Sequence, residues 1–306
     1  MPVGIMTHDD CLLHSLDADH PERPQRLQAI TDRLIASGLD YILREFHAPL
    51  ATREQLLRVH EHAYIERIFA SAPTEGMVML SADTGMNPHT LQAALRAAGG
   101  AAAAVDRVMA GDVKTIFCNL RPPGHHAERD RAMGFCVFDN VAIAARHALE
   151  EHGLERVAIV DFDVHHGNGT EDIFQDDPRV LFLSSFQHPF FPFSDPESRE
   201  PNIFKLPLDA GARGRDCCLL IQNHWLSVLD RFAPQLIVCS AGFDAHREDP
   251  LGQLRWTEND YQWITTEIKQ IADKHANGRV VSCLEGGYDL SALGRCVNVH
   301  MDALLG

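Results

Sequence analysis

No two of the eight cysteines stand in Cys-x-x-Cys spacing, which excludes a zinc ribbon and a small disulfide scaffold. Cys118, Cys239 and Cys283 lie inside apolar runs, where cysteine behaves as a small hydrophobe. The adjacent Cys217 and Cys218 open an expected helix as free thiols, and the whole set fits a reducing cytosol. Basic residues are also few: 27 Lys and Arg stand against 43 Asp and Glu, for a net charge of -16. Without a basic stripe, a nucleic-acid surface is not expected, and the acidity reads as solvated surface. No uninterrupted apolar run approaches a membrane span, and the first ten residues lack the charged segment and apolar core of a secretion signal. The expectation is a cytoplasmic protein with no membrane partner. Ser/Gly/Pro-rich linkers, low-complexity tracts and repeats are missing too, so residues 1–306 are expected to form one domain around a large core.

What is present is an alternation. Lys114 to Leu120, Arg156 to Phe162, Val180 to Ser185, Gln235 to Ser240 and Arg279 to Leu284 are short apolar runs of the kind that form strands buried on both faces. Around them, Pro24 to Ser37, Arg53 to Ala70, Thr90 to Met109, Asn140 to His152, Asp216 to Arg231, Glu258 to His275 and Leu290 to Leu304 have helical length and periodicity. The order predicts an α/β, three-layer architecture, with a mostly parallel central sheet and helices on both faces. Ala93 to Val105, interrupted by Gly99 and Gly100, reads as a closely packed helix rather than a cofactor loop.

The informative residues follow the strands. Arg156 to Phe162 breaks into Asp163-Val-His165-His-Gly-Asn168-Gly, and strand alternation would project Asp161, Asp163 and His165 to one side. Taken alone, an Asp-x-His is more often a hydrogen-bonded strand end than a metal site. Three other strands, however, run into Arg121-Pro-Pro-Gly-His125-His126, Ala-Gly-Phe-Asp244 and Glu285-Gly-Gly-Tyr288. Groups at the carboxyl ends of parallel strands meet in one crevice, where ligands bind.

The chemistry available to such a set is narrow. Asp163, His165 and Asp244 offer two carboxylates and one imidazole, three ligands that leave a position open for water as catalytic zinc requires. Ferrous iron and cobalt suit the same donors. Paired imidazoles with ordinary pKa values near ~6.5 suit proton transfer at neutral pH, and a phenol can stabilise an oxyanion. Together these parts describe metal-assisted hydrolysis of an amide-like carbonyl.

At this level of detail the chain resembles the zinc-dependent histone deacetylases and acetylpolyamine amidohydrolases, which share the arginase–deacetylase fold. The likeness runs from His20-Pro-Glu-Arg-Pro-Gln-Arg26 to Glu285-Gly-Gly-Tyr288-Asp, and takes in Gly134-Phe135-Cys136 and Asp161-Phe-Asp163-Val-His165-His-Gly-Asn168-Gly in family order. It implies that Asp163, His165 and Asp244 hold zinc, that His126 is the general base and then acid, that Asp161 supports a charged His125, and that Tyr288 donates to the substrate carbonyl. Gly134, Phe135 and Phe191 would line a narrow slot for an acyl-lysine-like chain, with Leu251 near its rim and Arg26 by the cavity beneath the metal. A structural potassium would involve Asp161, the carbonyls of Asp163 and His165, and Ser184. Hydroxamates are expected to inhibit by chelating the metal.

Some positions depart from the pattern. Asn168 replaces the Asp of class I members and, with Glu285-Gly-Gly-Tyr288, gives a class II-like pattern. Beside His126, a neutral amide raises the imidazole pKa less than a carboxylate does. Phe186 replaces the usual His after the serine strand, and Asp83 aligns with the family's substrate-anchoring aspartate or is a turn or cap residue. The two-manganese site of arginase needs further aspartates where this chain has His166 and Asn168. The expected function is removal of acetyl or short acyl groups from lysine-like side chains. The alternatives are acetylpolyamine hydrolysis, against which neutral Leu251 argues while nearby Glu248 and Asp249 argue for it, and a catalytically weak acyl-lysine-binding module.

Overall fold

Parallel pairing demands strands that tolerate burial on both faces, and the apolar runs supply them. The computed structural model describes residues 2–17 and 19–306. In chain order the strands are β1 (Gly4–Thr7), β2 (Arg44–His47), β3 (Val78–Met79), β4 (Gly85–Met86), β5 (Thr115–Cys118), β6 (Val157–Asp161), β7 (Val180–Gln187), β8 (Ile203–Leu208), β9 (Leu236–Ala241) and β10 (Val280–Leu284). Among the described residues, β3 and β4 form a small antiparallel pair and the other eight form one parallel sheet in the order β2-β1-β5-β10-β9-β6-β7-β8. The five expected strands are its central members together with β7, and every residue of β5, β6, β7, β9 and β10 is buried. Those strands carry the core, where truncating one Leu or Ile to Ala costs about 2–5 kcal/mol.

Helices cover both faces, as expected. The helix Gln25–Ser37 packs on Leu290–Leu305, which packs on Glu258–His275, while Thr90–Met109 packs on Asn140–Glu150. Close packing explains the paired glycines of Thr90–Met109, since a Cβ at Gly99 would stand 2.4 Å from Ala51 N and Pro49 O.

Two expected helices are each broken in two. Arg53 to Ala70 divides into Arg53–Leu57 and His62–Ser71, because buried His60 between them is spent on other contacts. Its Nδ1 donates to Glu128 O at 2.9 Å and its Nε2 accepts from Asp139 N at 3.0 Å. Asp216 to Arg231 becomes Gly214–His224 and Leu226–Phe232, with buried Trp225 at the joint. Strands β1, β2, β3, β4 and β8 were not expected. Of the two edge strands, β2 has the single buried residue Phe46 among exposed ones, and the apolar residues of β8 are interrupted by Lys205 and Pro207, so neither carries the unbroken run that marks a central strand.

Register then brings the strand ends together. Asp161 pairs with Ser240 and Ser184, Leu284 with Ala241, and Cys283 with Cys118. The loops that carry the acids, imidazoles and phenol therefore leave one edge of the sheet.

Candidate active site

Strand β6 ends at Asp161, so Asp163 and His165 stand in a loop rather than on a continued strand. Their side chains still converge, because Asp163 Oδ1 accepts from His165 N at 2.8 Å and curls the loop back. His165 Nδ1 faces Asp163 Oδ1 at 2.9 Å and Asp244 Oδ2 at 3.3 Å. One ligand atom from each of the three residues lies within 4.8 Å of the others. Gly286, after β10, donates from its N to Asp163 Oδ2 at 2.8 Å, and a Cβ there would stand 1.9 Å from Asp244 Oδ2. Only glycine lets the backbone approach so closely.

This donor set fits a divalent metal ion. Asp244 Oδ2 is buried without a hydrogen bond of good geometry among the described residues, and the one imidazole nitrogen it faces, His165 Nδ1 at 3.3 Å, is shared with Asp163 Oδ1, so two carboxylates compete for a single donor where a cation would serve both. Burial and neighbouring Asp163 push the Asp244 carboxyl up to about 7. Although burial opposes charge on His165, its bonds to Asp163 and Asp244 lift that imidazole to about 10. The cluster thus holds protons to offset its own charge, and two oxygens and one nitrogen with an open side suit zinc or another first-row dication.

The loop after β5 sets the two imidazoles beside this cluster. Gly124 N and His125 N donate to Glu285 Oε2 at 2.7 and 3.2 Å, which fixes the loop. His125 Nδ1 donates to Asp161 Oδ2 at 2.9 Å. Asn168 Nδ2 donates to Glu128 Oε1 at 2.7 Å, leaving Asn168 Oδ1 to accept from His126 Nδ1 at 2.8 Å. Burial disfavours charge on both rings. On His125 it is outweighed by Asp161, Asp163 and Glu285, which hold the pKa well above the ordinary imidazole value. On His126 burial is reinforced by His125 and His165, and the pKa falls well below that value. Rings with centroids 4.0 Å apart are thereby driven to opposite protonation states, the arrangement that assigns separate acid and base duties.

A cavity of about 380 Å³ opens over these groups. His126 and His165 lie at its base, and Asp83, Gly134, Phe135, Phe191, Leu251 and Tyr288 line it. Phe191 stands edge-on to His126 at 5.2 Å, and Phe135 edge-on to Tyr288 at 6.1 Å. Gly134 has φ 57°, and a Cβ on it would meet His126 Cδ2 at 2.3 Å. Asp83 is both a turn residue and a wall residue, since Oδ1 accepts from Gly134 N at 3.1 Å and from the Ser81 and Thr84 hydroxyls at 2.8 and 2.9 Å. Sequence reasoning missed Phe190, which stacks on His165 at 5.4 Å, although the run Phe190-Phe191-Pro192-Phe193 was a visible signal.

Asp249 and Glu248, the acids near Leu251, do not line this cavity. Asp249 turns inward, where Oδ2 accepts from Tyr288 N at 2.6 Å and Asp289 N at 3.2 Å, and Oδ1 accepts from Leu251 N at 2.9 Å. Glu248 accepts from Arg295 Nη2 at 2.8 Å. The Tyr288 phenol is pushed well above its ordinary pKa by burial, so it keeps its proton at neutral pH.

Arg26 is fully buried beneath the site, with Nε donating to Gly287 O at 2.6 Å and Nη2 to Glu285 O at 2.5 Å. Its guanidinium lies over the Tyr288 ring, 4.9 Å from the centroid. Glu22 bridges Arg26 and Arg121, and sequence reasoning had given Glu22 and Arg121 no role. Near β6, the Ser184 hydroxyl bonds His166 Nδ1 at 2.9 Å, His166 Nε2 faces Glu171 Oε2 at 2.6 Å, and the Phe186 ring packs on His166 at 4.7 Å. No helix among the described residues is long and apolar enough to cross a membrane.

The family model for the histone deacetylase domain matches residues 20–304. Histone deacetylase 14, chloroplastic, of Arabidopsis thaliana is 39% identical over 94% of this chain and 73% of its own length. The histone deacetylase-like amidohydrolase of Pseudomonas aeruginosa is 38% identical over 94% of this chain and 77% of its own. Polyamine deacetylase HDAC10 of Homo sapiens is 37% identical over all of this chain and 48% of its own. The crystal structure of the HDA15 HD domain superposes with a TM-score of 0.93 at 32% identity, covering 100% of this chain and 88% of that one. The chain belongs to the histone deacetylase family and has the arginase–deacetylase fold. It is a deacetylase of the hydrolase class, with a metal-dependent active site.

Proposed function

We propose that the chain is a zinc deacetylase that removes acetyl or short acyl groups from lysine-like side chains. The observation that carries this reading is the convergence of Asp163, His165 and Asp244, with both carboxylates sharing one His165 nitrogen, beside His126 and Tyr288 at an aromatic cavity. Zinc held by those three residues would polarise the acyl carbonyl and activate water. His126, kept neutral, takes the proton from the attacking water and returns it to the leaving amine. His125, kept charged by Asp161, contributes positive charge beside the reacting atoms. Tyr288 donates its phenolic hydrogen to the carbonyl oxygen as negative charge develops there.

Phe135 and Phe191 would pack the methylenes of the substrate, with Gly134 leaving room beside His126 and Asp83 fixing the Gly134 backbone at the cavity wall. Substrate selectivity follows from the rim. Leu251 is neutral, and Glu248 and Asp249 are committed elsewhere, so no acid of this loop rewards a second ammonium group. That favours acetyl-lysine over acetylpolyamine, even though a human relative is named a polyamine deacetylase. A potassium ion at Asp161, Ser184 and the carbonyls of Asp163 and His165 would be structural. One continuous main sheet supports residues 1–306 as a single domain, and eight free cysteines support a reducing, cytoplasmic setting.

The test pairs metal content with turnover. Wild type should bind one zinc and hydrolyse acetyl-lysine peptides with a higher kcat/KM than acetylspermidine. Asp244→Ala should stay folded, lose most zinc and lose measurable deacylation. Wild-type-like turnover by Asp244→Ala would sink the ligand assignment, and a large preference for acetylspermidine would reverse the substrate reading.

A further inference from the structure

A second group of metal-binding side chains lies at the other end of the sheet. Asp106 stands in the last turn of the helix Thr90–Met109, His147 in the last turn of Asn140–Glu150, and His152 just beyond it. These segments lead into the amino ends of β5 and β6, opposite the edge from which the catalytic loops leave. Asp106 Oδ1 faces His147 Nε2 at 2.8 Å and His152 Nε2 at 2.7 Å, and the two rings stand edge to face with centroids 5.6 Å apart. The three ligand atoms all lie within 4.8 Å of one another. Between His147 and His152 stand four residues, a gap usual for paired zinc histidines. None of the three residues lines the cavity over His126 and His165.

The place suits a cation. A carboxylate in the last turn of a helix meets the negative end of the helix dipole, where positive charge is favoured instead. No Lys or Arg pairs with Asp106 among the described residues, which leaves its charge to two imidazoles. A dication would neutralise that carboxylate and face the C-terminal ends of two helices at once. Both rings aim the same nitrogen at it. His147 Nδ1 is buried and has no hydrogen-bond partner among the described residues, so either tautomer leaves it unpartnered and ligation through Nε2 sacrifices no bond there. The spacing is also close to that of the catalytic trio, where His165 Nδ1 stands 2.9 and 3.3 Å from its two carboxylates. Bonds of about 2.0–2.1 Å in a tetrahedral centre hold ligand atoms about 3.3 Å apart, so the peripheral trio must open by about half an ångström. It has room to do so, because the side chains of Asp106 and His152 are 52% and 24% exposed. Two nitrogens and one oxygen, with the exposed side left to water, suit zinc and its first-row neighbours rather than magnesium or calcium, which take oxygen ligands.

We propose that Asp106, His147 and His152 form a second, peripheral site for a first-row transition-metal dication such as zinc, which ties the helix Thr90–Met109 to the end of Asn140–Glu150. Three donors on a half-exposed surface hold the ion more weakly than the buried catalytic trio does, so dialysis removes it and added metal restores it. The site is independent of the catalytic assignment, because it shares no residue with that machinery.

Wild type carrying its catalytic metal, and Asp244→Ala, are dialysed against metal-free buffer and titrated with zinc chloride by calorimetry. Wild type should take up one further equivalent and Asp244→Ala should take up the same one, while magnesium chloride gives none. His152→Ala and Asp106→Asn should each weaken this equivalent about tenfold or more, at least what losing a mere supporting group costs. Turnover of an acetyl-lysine peptide by the dialysed variants should match wild type. Zinc beyond the catalytic equivalent should raise the Tm of wild type and leave that of His152→Ala unchanged. Should one of the two variants fail to fold, the other decides. No further equivalent in wild type, equal uptake of magnesium, or an undiminished equivalent in either folded variant overturns the proposal. A further equivalent that Asp244→Ala lacks belongs to the catalytic cavity and overturns it as well.

Discussion

His125 and His126 are neighbours in the chain, yet they sit in different electrostatic surroundings. His125 faces Asp161 and Asp163, whereas His126 faces a neutral amide and two imidazoles. His126→Ala should lower turnover by about 10² or more at every pH, because it removes the base outright. His125→Ala should leave proton transfer possible and weaken charge stabilisation, so intact activity in both variants would place neither in the reaction. Asn168→Asp tests the mechanism from the other side. A carboxylate next to His126 raises its pKa, and because the base must be neutral, the acid limb of the kcat/KM profile should move to higher pH. An unmoved limb would mean that another group sets it. Tyr288→Phe removes one donor while keeping the ring, which should cost roughly 2.7–4 kcal/mol, or about 10²–10³ in kcat. Zinc stoichiometry measured on the same preparation should be unchanged, and an unchanged kcat would reduce Tyr288 to packing.

At the scale of elements, the catalytic phenol depends on a loop that is not its own. The segment after β9 supplies Asp249, whose carboxylate gathers the backbone N–H groups of Leu251, Tyr288 and Asp289. One buried carboxylate therefore ties the cavity rim to the turn that presents Tyr288. Asp249→Asn places an amide N–H where one of the two acceptor oxygens stood, so at least one backbone donor loses its partner. Its kcat should fall while zinc content stays near wild type. In a Tyr288→Phe background the same substitution should cost little more, since both changes remove one function. Fully additive losses in kcat would show that Asp249 acts elsewhere. Helix breaks obey the same logic. His60 interrupts an apolar periodicity because its two ring nitrogens are committed to Glu128 and Asp139 across the fold.

For the whole molecule, buried neutral imidazoles make stability fall in acid. Burial lowers His60 to about 4 and His300 to about 3. Both folded values lie below the unfolded value near ~6.5, so the unfolded chain takes up these protons first as pH falls. Their contribution is complete above pH ~6.5, declines as pH drops toward the folded values, and is lost below them. For His60, a shift from about 6.5 to about 4 is worth about 3 kcal/mol at about 1.4 kcal/mol per pH unit, and the larger shift of His300 is worth more. His300 bonds Thr265 Oγ1 at 2.7 Å and Ser282 Oγ at 2.9 Å. His300→Gln should therefore be less stable at pH 7 but show a shallower loss of urea midpoint between pH 7 and 4. Parallel declines in the two proteins would rule out this source.

The central strands, the flanking helices and the chemistry-bearing loops were legible in the sequence because each has a local cause. Strands buried on both faces must be apolar, amphipathic helices must repeat near 3.6 residues, and a strand end rich in Asp, His and Gly advertises itself. Edge strands β2 and β8 carry no unbroken run, since each pairs on one side only and tolerates Arg44, Glu45 and His47 in β2 and Lys205 and Pro207 in β8. The tertiary structure alone decided that Glu248 and Asp249 turn away from the cavity, that Phe190 joins it, and that Glu22 links Arg26 to Arg121. Those outcomes depend on partners distant along the chain: 39 residues separate Asp249 from Tyr288, and 99 separate Glu22 from Arg121. A residue's type and its near neighbours determine which element it can join, whereas the charge or donor it finally meets is set by sheet order and loop packing.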